Sequence, residues 1–178
     1  MKTKLHIIAY IVALPWNLTV AWPAILLIRL FWGDHLRWET PPAPGAGGPV
    51  LVCELRKGSW PARTWYKKWG GTTLGHGIFY NWGLIRAGHW SSLQKHEHVH
   101  VEQFEAAMLS ALLTSVWVSI VVAALGHGLA ALVLWLLLWW SGGLLGPVGG
   151  WIAAWLRGED PYRGSAHEES AYSQAGER

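Results

Sequence analysis

Between residues 106 and 156 the chain carries no Asp, Glu, Lys or Arg, and near the middle of that run stands Gly126-His127-Gly128. A helix needs about 20 apolar residues to cross the hydrocarbon core of a bilayer. The run therefore divides into two zones, 106–125 and 129–156. Helices joined by so short a turn lie antiparallel, so residues 106–156 are expected to form a transmembrane hairpin. Ser141-Gly142-Gly143 and Gly146-Pro147 interrupt the later zone. They predict a span followed by a shorter interfacial piece ending in Trp151 and Trp155.

A third apolar zone covers residues 5–32, with Arg29 near its end and Pro15 and Pro23 inside it. Each proline removes a backbone donor, so a kinked, broken or re-entrant helix is expected there. The first residues, MKTKLHIIAYIVAL, have the look of a signal peptide, but no small-x-small pattern ends the apolar run. The zone reads as a retained membrane anchor. Composition agrees with a lipid-facing chain: 14% of the residues are charged and 15 are tryptophan. Soluble domains average about 25% charged residues, and tryptophan favours the headgroup level.

The net charge of +3 is spread along the chain. It suits anionic lipid, and no basic run or RNA-binding signature points to nucleic acid. Cys53 is the single cysteine, which excludes an intramolecular disulfide and a cysteine-based zinc ribbon. A reduced, buried thiol is expected.

Residues 33–105 form a polar segment. It holds a linker, Pro41-Pro42-Ala43-Pro44-Gly45-Ala46-Gly47-Gly48-Pro49, then a short strand over 50–55. A second strand is expected over 72–82, with a bulge at Gly75 or Gly77. A helix is expected from Ser91 to Glu105, running on into the hairpin. The whole is one mainly α membrane domain: anchor 5–32, polar segment 33–105, hairpin 106–156 and tail 157–178, with a small β hairpin or sheet beside the 91–105 helix.

That helix carries His96-Glu97-His98-Val99-His100, which satisfies H-E-x-x-H. Residues four apart share one helical face, so His96 and His100 can hold one metal ion. Imidazole is a good zinc ligand. Glu97, one residue on, can reach water at that ion and accept its proton as general base. His98 lies about 200° round the helix from His96 and should not share the metal. Gln103, on the same face as His96, can orient a ligand or be an ordinary polar surface residue. The bland alternative for the cluster is a solvated helix start that binds metal adventitiously.

Catalytic zinc usually takes three protein ligands. The extension H-x-x-G-x-x-H fails here, since Gln103 and Ala106 occupy its glycine and histidine positions. Two spans separate the tail from the motif, so both lie on one side of the membrane. A tail helix over 166–172, approached through Asp160-Pro161, can supply the ligand from His167, Glu168 or Glu169. A disordered charged tail is the alternative.

HEHVHVEQFEA, the apolar hairpin and a downstream helical glutamate resemble the gluzincin clan of zinc peptidases, in particular its membrane members related to prenyl-protein and heat-shock-induced membrane peptidases. The ending Glu168-Glu169-Ser170-Ala171-Tyr172 also resembles the E-x-x-A-Y of small bacterial and phage membrane proteins with H-E-x-x-H. The resemblance covers mainly residues 72–105 and 159–172. It implies a zinc endopeptidase with His96, His100 and Glu168 as ligands, Glu97 as base, and Tyr172 one turn beyond the third ligand. His167 and Ser170 depart from the clan's aromatic-Glu-x-Glu pattern, which leaves the third ligand open among His167, Glu168 and Glu169. The resemblance further implies that residues 73–80 offer a strand edge to substrate backbone. There His76 or Tyr80 would stabilise the oxyanion; core or sheet packing is the competing role for both.

Arg37, Arg56, Lys57, Arg63, Lys67, Lys68, Arg86 and Lys95, with Arg157 and Arg163 in the tail, place the site on the cytoplasmic face of a bacterial inner membrane or its equivalent. Lys2 and Lys4 would then lie outside if residues 5–32 span once; a re-entrant first zone removes that conflict. The expected substrate is a peptide or a membrane protein. The competing reading is a non-catalytic assembly scaffold with a structural or vestigial metal site. A di-iron oxidase needs several histidine boxes, and the chain has one.

Overall fold

The computed structural model describes residues 2–41, 48–64, 70–81 and 90–176. The centre of the linker, Lys67, Lys68, Trp82 and Arg86 lie outside the described residues. The order is α1 (Lys2–Trp16), a π segment (Asn17–Ala21), α2 (Trp22–Trp32), β1 (Gly33–Glu39), β2 (Val50–Leu55), α3 (Trp60–Arg63), β3 (Gly71–Leu74), β4 (Gly77–Tyr80), α4 (Trp90–Ala124), α5 (Gly128–Leu156) and α6 (Ala166–Ala175).

The first apolar zone is neither broken nor re-entrant. His6–Trp32 is one helix, and the disturbance expected from Pro15 takes the form of the π segment that follows it. Thr19 Oγ1 donates to Pro15 O at 2.7 Å and satisfies a carbonyl in the loosened turn. Pro23 is the second residue of α2, directly after the π segment, so the bond its missing N–H forgoes falls at the junction of the two.

The sheet has four strands in the order β1-β2-β4-β3; β2 pairs parallel with β4, and the other pairs are antiparallel. Residues 72–82 are thus not one bulged strand. Gly75 and His76 form a two-residue turn between β3 and β4, with Leu74 opposite Gly77. Gly75 has φ +57° and His76 is not in the positive region, the sign pattern of a type II′ turn. β1 adds a strand at Gly33–Glu39 that the sequence pattern does not predict.

Helices cover both faces of the sheet. On one, Leu51, Cys53, Leu55 and Phe79 pack around Ile25 of α2. On the other, Val50, Val52, Ile78 and Tyr80 pack against Val101 of α4. Every residue of β2 is buried, as expected for a strand covered on two faces. Cys53 is buried and unpaired. Burial, with Asp34 adding and Arg29 opposing, pushes its thiol up to about 11, so it is an inert core residue.

The hairpin of α4 and α5 stands out from this layered head. Gly126 closes the turn at φ +87°, and Gly142 packs so closely on Ala111 that a Cβ would lie 2.3 Å from that side chain. α5 bends by 63° between its limbs Gly128–Leu144 and Pro147–Leu156, where the glycine and proline signals predict it. His6–Trp32 and α4 are each long and apolar enough to cross a membrane, and so is α5 if its limbs count as one span.

Candidate metal centre

α4 presents His96 and His100 one turn apart, and α6 brings Glu168 against them. His96 Nε2 lies 3.3 Å from Glu168 Oε2, and His100 Nε2 lies 3.3 Å from Glu168 Oε1. The two Nε2 atoms are 3.2 Å apart. One ligand atom from each residue falls within 4.8 Å of the others. Of the three tail candidates, Glu168 is the one whose carboxylate reaches the imidazoles. The His167 backbone carbonyl accepts from Gln103 Nε2 at 2.9 Å, its ring packs beside Gly150, and Glu169 is exposed.

The position of Glu168 follows from local chemistry. Ser165 caps α6, its hydroxyl accepting from Glu168 N at 3.3 Å. Ser165-Ala166-His167-Glu168 has the capping-box spacing. Here the glutamate side chain turns to the histidines, at a helix end where anions are favoured. Asp160 Oδ1 accepts from the backbone of Tyr162 and Arg163 and sets the approach to the helix. Gly176 ends α6 at φ +76°.

Gln103 fixes the state of His100. Because Gln103 Nε2 donates to the His167 carbonyl, its Oε1 is the atom 2.9 Å from His100 Nδ1. Nδ1–H is then the donor, and Nε2 directs its lone pair at His96 and Glu168. Lone pairs converging at 3.2–3.3 Å need a shared proton or a cation between them. Burial works against a charge on Glu168, but the His100 and His96 imidazoles beside it, attracting the ionised form, hold its carboxyl down to about 2. Two imidazoles and an ionised carboxylate suit a divalent transition metal. The group can hold a metal ion, and the donor set fits one.

Glu97 is buried beside the group, where Thr73 Oγ1 on β3 donates to its Oε2 at 2.7 Å. Gly71 leaves it room, since a Cβ there would lie 2.6 Å from Glu97 Oε1. A cavity of about 550 Å³ adjoins the group. Glu97, His100, Gln103 and Glu168 form its polar wall, Thr72 to Gly75 a second, and Trp16, Phe104, Leu144, Val148 and Trp151 an apolar remainder.

Two expected residues lie elsewhere. Tyr80 is fully buried on the interior strand β4, its ring against Trp90, and does not line the cavity. His76 is fully buried in a separate network with Asn17 and Glu105. Its backbone turn reaches the cavity only through Gly75. The strand beside the cavity is β3 alone, so the expected edge over 73–80 shortens to Gly71–Leu74. Tyr172 sits by His96, ring centroids 4.6 Å apart. His98 is buried, stands apart from the metal group as expected, and has no hydrogen-bond partner among the described residues.

Tyr162 was missed. It lines the cavity and hydrogen-bonds Glu168, and burial, Glu168 and Glu97 all push its phenol up, so it stays a donor. Its only sequence signal is a tyrosine following Asp160-Pro161. Comparison with family models, curated proteins and solved structures finds no match for this chain.

Proposed function

We propose that the chain is a zinc-dependent membrane endopeptidase of gluzincin type. The observation that carries this reading is the convergence of His96, His100 and Glu168 beside the buried carboxylate of Glu97, on the wall of a cavity bordered by an edge strand. His96, His100 and Glu168 would hold the ion. When bound, zinc supplies Lewis acidity, polarising a carbonyl and making a nearby water more acidic.

The chain's own residues supply the rest. Glu97 accepts a proton from water and can hand it to the departing amine; Thr73 fixes the orientation of its carboxylate. Tyr162 and Tyr172 border the ligands as candidate hydrogen-bond donors to developing negative charge. Asn81 N donates to Gly70 O at 2.8 Å, and Leu74 pairs with Gly77 across the turn. By the alternation of an antiparallel ladder, Gly71 and Thr73 direct their backbone groups to the open edge of β3. An extended peptide can pair there with its side chains in the largely apolar cavity. The basic residues of the polar segment and tail favour a cytoplasmic-facing site.

The test is Glu97→Gln in detergent-purified protein without added metal. Zinc at one ion per chain is expected in both forms, with hydrolysis reduced about 10²–10⁴-fold in the variant. Hydrolysis retained in Glu97→Gln removes the mechanism. Wild type that binds zinc but cleaves no peptide leaves a scaffold with a structural ion.

A further inference from the structure

The helix His6–Trp32 passes the length and hydropathy requirement for a span, but its contacts describe another arrangement. His6 Nδ1 lies 3.1 Å from Glu105 Oε2. Asn17 reaches the same carboxylate through His76, at 2.7 Å and then 2.9 Å. Points about 16 Å apart along one helix are thus tied to a single level of α4. The helix crosses α4 and does not run beside it.

The remaining contacts agree. Ala13 and Trp16 pack on Phe104 and Met108, and Thr19 Oγ1 lies 3.4 Å from Trp140 Nε1. Farther on, Ile25 enters the sheet core and Arg29 Nη1 donates to Gly33 O at 2.9 Å. From Met108 to its end α4 extends about 24 Å, and the first limb of α5 about as far. That length approaches the roughly 30 Å of a hydrocarbon core. Over it, Leu113, Trp117 and Ile120 on α4 and Leu132 and Leu137 on α5 are half or more exposed. A third span alongside would cover part of this surface.

The face of His6–Trp32 turned away from the head carries Ile7, Ile11, Leu18, Leu26 and Leu30, each at least half exposed. We infer that this helix lies in the plane of the membrane, at the headgroup–acyl boundary on the side of the metal group, with that apolar stripe immersed in lipid and only the α4–α5 hairpin crossing. Trp140, partly exposed, lies by Thr19 at the level where the helix crosses the hairpin, the depth that indoles prefer. A one-sided apolar face on a helix whose other face is committed to protein is the pattern of an interfacial helix. The amino terminus and α6 then share one side of the membrane, which removes the charge conflict raised by Lys2 and Lys4.

Two measurements test this, and neither depends on hydrolysis or bound metal. The first uses protein reconstituted in one orientation in sealed vesicles, carrying a cysteine-bearing amino-terminal extension, His127→Cys or Gln174→Cys, with a membrane-impermeant maleimide. Cys53 is buried and serves as the silent background. The extension is expected to react from the same side as Gln174→Cys and from the side opposite His127→Cys; reaction with the His127→Cys side overturns the inference. The second places nitroxide labels at Ile7, Ile11, Leu18, Leu26 and Leu30 and reads depth from oxygen against nickel-chelate accessibility. A near-constant shallow depth is expected. A profile deepest at Leu18 and shallow at Ile7 and Leu30 means a span and overturns it.

Discussion

Helix α4 carries two histidine–carboxylate clusters within three turns of each other. At the first, His96 and His100 meet Glu168; at the second, His76 and His6 meet Glu105. The residue types are the same and both clusters are largely buried, yet their hydrogen bonding is opposite. At Glu105 every group finds a partner. The His76 amide donates to Asn17 Oδ1 at 3.1 Å, so Asn17 Nδ2 is the donor to His76 Nδ1. Nε2–H then donates to Glu105 Oε1, which also accepts from Gly48 N at 2.8 Å, while His6 takes Oε2. At Glu168 the acceptors face one another instead. A closed set of donors and acceptors is a fastening; a convergent set of lone pairs is a place for a cation. Histidine and glutamate on a helix do not separate these outcomes, and the partners on other elements do.

The largest test exchanges losses between the clusters. His100→Ala is expected to take bound metal from one ion per chain to none, with little change in the thermal unfolding of the metal-free protein. Glu105→Ala should do the reverse. It leaves His76 Nε2–H and the Gly48 N–H buried without an acceptor, at a cost of about 3–5 kcal/mol, while the folded fraction keeps its metal. Elemental analysis and thermal denaturation of both variants decide it. Equal metal loss from the two would erase the distinction.

Acidification sharpens it next. Metal binds only the deprotonated ligands. Glu168, held down to about 2, is already ionised near neutrality, so release on lowering pH is set by His100, whose imidazole burial pushes down but Glu168 and Glu97 together raise above its ordinary value of about 6.5. A depressed carboxylate contributes stability that is present above the ordinary carboxylate range and lost as pH falls through its folded value. Metal should therefore leave between about pH 6 and 4, well before the pairing of Glu168 is lost. Retention of metal to pH 3 would mean that imidazole is not among the ligands.

Gln103 gives a smaller effect. Its amide locks the His100 tautomer and ties α4 to the first turn of α6. Gln103→Ala should weaken zinc about 10–100-fold with the three ligands intact, measured by competition with a chelator. Gln103→Glu keeps an acceptor for His100 and should recover part of the loss.

What the sequence disclosed tracks how local each determinant is. His96 and His100 are readable because one turn of one helix brings them together. The return of the tail to the motif is readable because the α4–α5 hairpin reverses the chain and brings α6 back against α4. The choice of Glu168 over His167 and Glu169 is a matter of rotation about α6, which the capping serine sets and spacing alone does not reveal. β1 escapes notice because Leu36 and Trp38, its large apolar residues, stay partly exposed although they share the α2-covered face with Cys53 and Leu51, and they stand among charged residues in Gly-Asp-His-Leu-Arg-Trp-Glu. The Gly75-His76 turn lacks the Asn-Gly or Asp-Gly signal of a tight hairpin and so reads as a bulge. His76 and Asn17 look unrelated in sequence and are joined only by the π segment, which turns Asn17 inward.

Ser165 offers the finest probe, because it acts on one cluster without belonging to it. Its hydroxyl caps α6 through Glu168 N, and replacing such a cap by alanine costs about 1 kcal/mol. The Glu105 network has no contact with α6 among its described hydrogen bonds, so Ser165→Ala should leave it untouched. A loosened first turn lets Glu168 swing from the histidines, and since the cap acts only on the folded helix, metal and cap stabilise the same conformation. The expected result is a few-fold loss of zinc affinity, by chelator competition, alongside a small fall in apo-protein stability. Ser165→Asp, which restores a capping acceptor, should recover both. An unchanged zinc affinity in Ser165→Ala would show that α6 is held by its packing on α4, and that the cap positions the backbone without governing the ligand.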